Sequence, residues 1–168
     1  MRIYRISIFI LMTVLLFACN TKIKQLETNK LSGLWSLYIM EQQDSITGGW
    51  HEWRNGMQGY ILYDDNNHMS LHLTTKGYQN TNLEFPNFTD TVSIDALKHL
   101  TKSYVYFAKY TVFEEDSIVE HARISHSNPG EWNDIVKRRF SFVGDTLILR
   151  PVEKQKSGLR LKWLKKNK

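Results

Sequence analysis

The sequence contains one cysteine, Cys19, and only three prolines in 168 residues. A single cysteine cannot form a disulfide within the chain, so small disulfide-stapled domains are excluded and the fold must rest on its hydrophobic core. The prolines are scattered, and the chain has no repeat, low-complexity segment or obvious interdomain linker. One domain is therefore expected, at a length that allows a sizeable core.

Signatures of catalysis and metal binding are also missing. The sequence has no HExxH pattern, no phosphate-binding glycine loop, no paired catalytic carboxylates and no Ser-His-Asp order. His68 and His72 share one face of a predicted strand, but no third ligand follows at a diagnostic spacing, which favours structural histidines over a metal site. No residue is assigned a catalytic role, no metal or cofactor is expected, and enzymatic activity is left open.

The first residues have the pattern of an export signal. Arg2 and Arg5 precede an uncharged apolar run over residues 6–17. This run is too short to cross a hydrocarbon core of about 30 Å as a helix, and it fits the apolar segment of a secretory signal peptide. The residues that complete it, 15–20, read LLFACN.

LLFACN resembles the lipobox of bacterial lipoproteins, in which Leu and a small residue precede a lipid-modified Cys; here these are Leu16, Ala18 and Cys19. The resemblance implies a signal peptide at residues 1–18, a lipidated Cys19, a tether over residues 19–31 and attachment to a membrane through the lipid. Asn20 is not the Asp that often retains such proteins at the inner membrane, so the expected location is the outer membrane, facing the periplasm. The alternative for Cys19 is a buried structural thiol.

Positive charge gathers at the C-terminal end of the chain. The formal net charge is +5, and it falls to +3 when Arg2 and Arg5 leave with the signal. A basic end can contact phosphate groups, but a solvated surface is the favoured interpretation, and no nucleic-acid partner is expected. The sequence does not indicate an oligomeric state. The clustered basic residues are Arg160, Lys162, Lys165, Lys166 and Lys168.

Apolar and polar residues alternate through most of the remaining chain, which is typical of half-buried β-strands. Trp35, Leu37 and Ile39 are predicted to share one face of the first strand. Polar turns indicate hairpins over residues 59–75, 104–126 and 135–151, with a last strand over residues 159–164. Helical spacing predicts one short helix over residues 93–102. The expected fold is all-β, an up-and-down antiparallel barrel of about eight strands with one short helix, because closure removes the exposed sheet edges.

Several segments resemble, in order, the motifs of the lipocalin-like families. LSGLWSLY at residues 31–38 is similar to the opening L-x-G-x-W-x-L, RRFSFVGDTLIL at 138–149 to a strand pair joined by G-D, and LRLKWLK at 159–165 to the closing strand. Residues 56–70 and 104–125 resemble the hairpins between them. The resemblance implies a lipocalin-like barrel over residues 32–168, in which Gly33 passes close to the barrel floor and Trp35 plugs it.

Tyrosines on the predicted strands are the first candidates for ligand binding. A barrel of about eight strands is either filled by side chains or holds one small ligand, and the resemblance implies a small apolar ligand. Large rings with a polar tip suit such a pocket, but they also fill the core of a small barrel, and core filling is the favoured interpretation. The candidates are Tyr60, Tyr104, Tyr106 and Tyr110.

Two further candidates come from the family resemblance. It places a histidine at His121, as a polar group lining the cavity, and an arginine at Arg139. Arg139 is expected either to hold an acidic ligand head through a bidentate contact or to pair with a carboxylate.

Two functions follow from these patterns. The favoured hypothesis is a lipid-anchored protein of the cell envelope whose lipocalin-like barrel binds a small apolar or amphipathic molecule. The alternative is a structural or protein-interaction module of the envelope, with a filled barrel and no ligand. An isomerase or cyclase is considered only if His121 meets an acid inside a cavity. The volume and lining of the barrel interior distinguish these hypotheses.

Overall fold

The computed structural model describes residues 30–83, 91–153 and 158–166. The predicted signal peptide, Cys19 and the tether up to residue 29 lie outside the described residues. The predictions made for them are therefore not addressed by the structure.

The described residues form nine strands and one α-helix. The strands are β1 (Gly33–Gln43), β2 (Trp50–Glu52), β3 (Met57–Tyr63), β4 (His68–Thr75), β5 (Ser103–Phe113), β6 (Ile118–His126), β7 (Ile135–Val143), β8 (Thr146–Pro151) and β9 (Leu159–Lys165). The helix α1 covers Ile94–Leu100, and short 3₁₀ helices lie at Trp53–Asn55 and Pro129–Glu131.

Eight of these strands close into an antiparallel barrel. The strand order is β2-β1-β3-β4-β5-β6-β7-β8-β9, and β1 also pairs with β9, so only β2 lies outside the closed ring. Residues Trp35 and Leu37 of β1 face Lys165 and Trp163 of β9 in this closing register. The structure confirms the predicted all-β fold, an up-and-down antiparallel barrel of eight strands with one short helix.

Local chemistry explains where the chain turns. Asn67 has a φ of 64°, and Gly144 a φ of 54°, which Asn and Gly adopt at lower cost than other residues. The Asp64 carboxylate accepts hydrogen bonds from the backbone N–H groups of Asn66 and His68, at 2.8 and 2.7 Å, and so fixes the β3–β4 turn. The predicted helix begins at its cap, since the Ser93 hydroxyl accepts a hydrogen bond from the Ala96 N–H at 3.1 Å.

Two β-bulges change which residues face the interior. The register of β1 against β9 shifts between Leu37 and Ile39, so Met40 rather than the predicted Ile39 is the next buried residue. A second shift lies in β6, where Ile124 is the extra residue. Phe107 of β5 pairs with Ser125, whereas the next residue, Ala108, pairs with Arg123. An extra residue in one strand reverses the in-out alternation beyond it. His121 and His126, which alternation alone places on opposite faces, are therefore both buried.

One end of the barrel is closed by packed side chains. At the end where β1 begins and β9 finishes, Trp35 is 2% exposed, and its indole N–H donates to the Leu31 carbonyl at 2.7 Å. Tyr63 and Tyr110 pack edge to face beside it, with ring centroids 5.0 Å apart. We call this end the floor. The placement of Trp35 agrees with what the family resemblance implied.

Candidate functional site

A cavity of about 400 Å³ occupies the barrel interior above the floor. Its deep part is lined by residues near the middle of the strands, such as Ile61, His121 and Trp163. Its rim is formed at the opposite end of the barrel, where Thr75 finishes β4 and Ser103 begins β5. We call this rim the mouth. The barrel is thus neither empty throughout nor completely filled by side chains.

The cavity has two chemically different walls. The apolar wall is continuous across five neighbouring strands, β8, β9, β1, β3 and β4. The polar wall covers the remaining three neighbours, β5, β6 and β7, and carries Tyr104, Tyr106, His121 and Arg138. Such a division suits a ligand with one apolar and one polar side. Each of the five strands contributes at least one apolar residue to this wall; in the order of the strands these include Leu149, Leu161, Met40, Ile61 and Leu71.

His121 stands at the centre of the polar wall between two tyrosine hydroxyls. Its Nε2 lies 2.9 Å from the Tyr63 hydroxyl, and its Nδ1 lies 2.8 Å from the Tyr106 hydroxyl. His121 is 1% exposed, and Tyr63 and Tyr106 are equally enclosed. The three side chains form a buried chain of two hydrogen bonds, which ends at the cavity on the Tyr106 side.

The His121 imidazole is neutral at physiological pH. Burial, followed by the positive charges of Arg138 and Arg123, lowers the pKa of His121 to about 3. Burial also raises the pKa of Tyr63 and of Tyr106. All three groups therefore keep their neutral forms, and the hydrogen-bonded chain carries no charge.

Arg138 brings a positive charge to the same wall, matched by a carboxylate. Its Nη1 donates to the two carboxylate oxygens of Glu153, at 2.9 and 3.0 Å, and to the backbone carbonyl of Lys137 at 2.8 Å. The Arg138 side chain is largely buried whereas Glu153 is partly exposed, and the pairing matters because an isolated charge in an apolar interior is strongly disfavoured. Arg138 is thus a polar group of the cavity wall whose positive charge is paired with the carboxylate of Glu153.

The mouth carries two further cationic side chains, Arg54 and Lys102. The Arg54 guanidinium lies over the Trp53 ring, 4.3 Å from its centroid, and Arg54 adopts a φ of 48° within the 3₁₀ helix that follows β2. Trp53 also lines the cavity. The rim therefore combines an aromatic ring with positive charge.

A separate polar cluster lies behind the Tyr104 side of the cavity. Arg123, whose side chain is 1% exposed, donates from Nη1 to Glu131 at 2.6 Å and from Nη2 to the Tyr104 hydroxyl. Tyr104 in turn donates to Glu131 at 3.0 Å. Burial works against the charged form of Glu131, but hydrogen bonds from Tyr104 and Asn128 and the charge of Arg123 outweigh it, so the pKa of Glu131 is lowered. This cluster joins β5 and β6 to the 3₁₀ helix at Pro129–Glu131.

The structure brings three of the six predicted ligand-binding residues into the cavity wall: Tyr104, Tyr106 and His121. Tyr110 is buried instead at the floor, where its hydroxyl donates to the Asp64 carbonyl at 2.7 Å. It contributes to the core and does not line the cavity.

The placement expected for Tyr60 and Arg139 is corrected. Tyr60 is 51% exposed, since β3 buries its odd-numbered residues Ile61 and Tyr63. Arg139 is likewise exposed on the outer face of β7, and its neighbour Arg138 is the arginine of the cavity. Neither Tyr60 nor Arg139 lines the cavity, because side chains of a strand alternate between its two faces.

Arg138 and Trp163 are among the cavity residues that the sequence did not identify as such, and for Arg138 the sequence contained a signal. Val136, Phe140 and Phe142 alternate on the inner face of β7, and Arg138 has the same parity. This alternation was sufficient to choose Arg138 over Arg139. Trp163 was assigned to the core, and it is fully buried, but it also lines the cavity, which alternation cannot reveal.

The described residues offer no group of three or more His, Cys, Asp or Glu side chains able to hold a metal ion. His68 and His72 are both exposed, on the outer face of β4. None of the described helices has the length and apolar character required to cross a bilayer.

A comparison with protein-family models matches residues 32–165 to a family described as a lipocalin-like domain. The match covers more than half of the chain and includes all eight strands of the closed barrel. A search of curated proteins finds no match.

Proposed function

The chain belongs to the lipocalin-like domain family, and from this premise we propose that its barrel binds one small apolar or amphipathic molecule. The observation that carries the proposal is the two-sided cavity of about 400 Å³. An apolar segment of the ligand lies against the wall from β8 to β4, and a polar group lies against Tyr106, His121 and Arg138.

The energetics of such a site favour this type of ligand. Each buried methylene group contributes roughly 0.8 kcal/mol by leaving water. The polar wall is held in place before the ligand arrives, because its groups are fixed by His121–Tyr106 and Arg138–Glu153 contacts. Preorganised contacts reduce the entropy lost on binding.

The filled-barrel alternative has less support. It expects Tyr104, Tyr106 and His121 to be buried without an adjoining cavity, whereas all three line one. A catalytic role for His121 also lacks support within the described residues, since its two ring nitrogens contact tyrosines and no acid. Ligand binding is therefore the function proposed.

Extraction of the purified protein, followed by mass spectrometry, tests the proposal. A reproducible apolar or amphipathic compound is expected from the wild-type protein and not from Leu149→Trp, a variant that fills the cavity from the apolar wall. Tyr38→Trp, on an exposed outer position of β1, is the matched control and should retain the compound. Failure to recover or titrate any compound in the wild type, with the cavity intact, would count decisively against ligand binding.

We also propose that the protein is a bacterial lipoprotein, anchored by lipid at Cys19 and located at the outer membrane, facing the periplasm. The support is in the sequence: a charged start, a short apolar run and the Leu16, Ala18 and Cys19 pattern. Metabolic labelling with a fatty acid should mark the wild-type chain and leave Cys19→Ser unlabelled. A labelled Cys19→Ser chain would contradict the anchor without affecting the cavity.

A further inference from the structure

The hydrogen-bonded chain Tyr63–His121–Tyr106 has one more exchangeable hydrogen than its internal hydrogen bonds require. With His121 neutral, the three groups hold three exchangeable hydrogens, one on each hydroxyl and one on the ring. The two hydrogen bonds, at 2.9 and 2.8 Å, consume only two of them. One hydroxyl hydrogen at one end of the chain therefore remains without an acceptor inside the chain.

The two ends of the chain are not equivalent. At one end, the Tyr63 hydroxyl is buried in the core near the floor, and its one hydrogen-bond partner among the described residues is His121. A spare hydrogen there leaves a buried donor unsatisfied, which is costly. At the other end, Tyr106 lines the cavity. The favoured arrangement has Tyr63 donating to Nε2, Nδ1–H donating to Tyr106, and the Tyr106 hydrogen directed to the cavity.

A second donor lies in the wall of the same cavity. The indole N–H of Trp163 is buried and has no hydrogen-bond partner among the described residues. Tyr106 and Trp163 stand on opposite walls, on β5 and β9. The Tyr106 hydroxyl thus offers the cavity a hydrogen-bond donor, and Trp163, which also lines the cavity, holds a buried N–H without a partner among the described residues.

The charges near the cavity argue for a neutral acceptor. Glu153 compensates Arg138, and Glu131 compensates Arg123. The other cavity cations, Arg54 and Lys102, lie at the mouth. A carboxylate placed beside Tyr106, deeper in the barrel, would face arginines that are already paired, and burying its charge there is disfavoured. A carbonyl oxygen adds an acceptor without adding charge.

We propose that the ligand presents a neutral carbonyl oxygen, as in a ketone or ester, to the Tyr106 hydroxyl, which His121 and Tyr63 orient. This assignment rests on the proposed ligand binding and names the chemical group recognised. Tyr106 contacts the ligand, whereas His121 and Tyr63 act through it as positioning residues.

The test uses two isosteric probes, 2-octanone and 2-methyl-1-octene, which differ only by C=O against C=CH₂. Affinities are measured by calorimetric titration of the wild type, Tyr106→Phe and the outer-face control Tyr60→Phe. Tyr106→Phe should weaken binding of the ketone by roughly three- to ten-fold, the effect of one lost hydrogen bond, and leave the alkene unchanged. Tyr60→Phe should change neither affinity.

An infrared measurement separates a hydrogen bond from a merely structural effect. The C=O stretch of bound 2-octanone should lie at a lower frequency in the wild type than in an alkane solvent, and should move back in Tyr106→Phe. If that variant does not fold, the wild-type spectrum alone decides, since a stretch at the alkane value overturns the assignment. Tyr63→Phe should move the stretch in the same direction without removing a ligand contact.

The remaining outcomes distinguish the two proposals. If both probes bind and Tyr106→Phe affects them equally, the carbonyl assignment is wrong while ligand binding stands. If octanoate binds more tightly than 2-octanone and loses that advantage in Tyr106→Phe, the ligand group is an anion and the neutral assignment is overturned. If neither probe binds the wild type, the carbonyl assignment is overturned, and the extraction experiment decides separately whether the cavity holds any ligand.

Discussion

At the scale of single residues, His121 makes the stability of the barrel depend on pH. Its folded-state pKa of about 3 lies below the ordinary value of 6.5, so the unfolded chain binds the extra proton first. Stability is therefore complete above about pH 6.5 and is lost as the pH falls, at up to about 1.4 kcal/mol per pH unit. The expected result is a decrease in the free energy of unfolding between pH 6.5 and 5, measured by denaturant titration.

Two variants isolate this contribution. His121→Asn removes the titrating group, so its free energy of unfolding should decline less steeply over the same interval, although its value at pH 7 is lower. Ile61→Val, another change in the buried core, keeps His121 and should follow the wild-type slope. Equal slopes for His121→Asn and the wild type would show that the pH dependence comes from other groups, such as His126, whose pKa burial also lowers.

Glu131 offers a second prediction at this scale. It is the nearest carboxylate to the buried Arg123 guanidinium, at 2.6 Å, whereas Asp134 lies 3.7 Å away. Glu131→Gln leaves that cation poorly compensated and should cost about 2 kcal/mol of unfolding free energy, less than a fully buried pair because Glu131 is partly exposed. Glu120→Gln breaks a more exposed pair with Lys137 and should cost under about 0.5 kcal/mol. Similar losses in the two variants would contradict this account.

The sequence identified the candidate site only partly at the level of residues. Tyr106 was found as an aromatic residue on a predicted strand, and His121 was found from the family resemblance. Arg138 was missed although its parity with Phe140 was visible. The hydrogen bonds of His121 to Tyr63 and Tyr106 join three strands, and no local pattern encodes a contact between side chains 58 or 15 positions apart.

At the scale of secondary-structure elements, Gly59 determines how closely β3 approaches β4. Its φ is 149°, and a Cβ at this position would overlap with the backbone carbonyl of His72. Gly59→Ala must therefore move the two strands apart, and we expect a loss of about 3 kcal/mol or more, measured by thermal or denaturant unfolding. Gly130→Ala is the control: the added carbon meets only the Asn128 side chain, at 3.6 Å, and stability should change little. An unaffected Gly59→Ala protein would disprove the close approach.

The elements were largely predictable, and their irregularities were not. Hairpin positions followed from turn residues such as Asn67 and Gly144, whose conformations the structure confirms. The bulges in β1 and β6 leave no mark in the alternation of short segments, because each depends on pairing with a distant strand. Strand β2, with three residues, is too short to produce a periodic pattern.

At the scale of the whole molecule, a bound ligand should stabilise the barrel as a unit. For 2-octanone at 100 times its dissociation constant, linkage gives about 2.7 kcal/mol, or a rise in melting temperature of about 10 °C for a domain of this size. Differential scanning calorimetry should show this rise for the wild type and not for Leu149→Trp. An equal rise in both proteins would place the binding outside the cavity.

Barrel closure was predictable from strand count and hairpin order, but the cavity was not. Whether an eight-stranded barrel is filled depends on how side chains from all of its strands share one volume. Here residues of moderate size, such as Ile61, Leu71 and Leu149, face one another across the interior and leave about 400 Å³ between them. The sequence therefore left binding and filling as alternatives.

The pairing of β1 with β9 also fixes how the molecule can be presented to its surroundings. Trp35 lies opposite Lys165, so the first strand begins and the last strand ends at the floor, away from the mouth. A lipid on Cys19, or a sensor chip coupled at either terminus, would therefore hold the barrel base down with its opening directed outward. Exchange of the ligand would then take place with the aqueous phase, and immobilisation at a terminus should leave uptake unhindered.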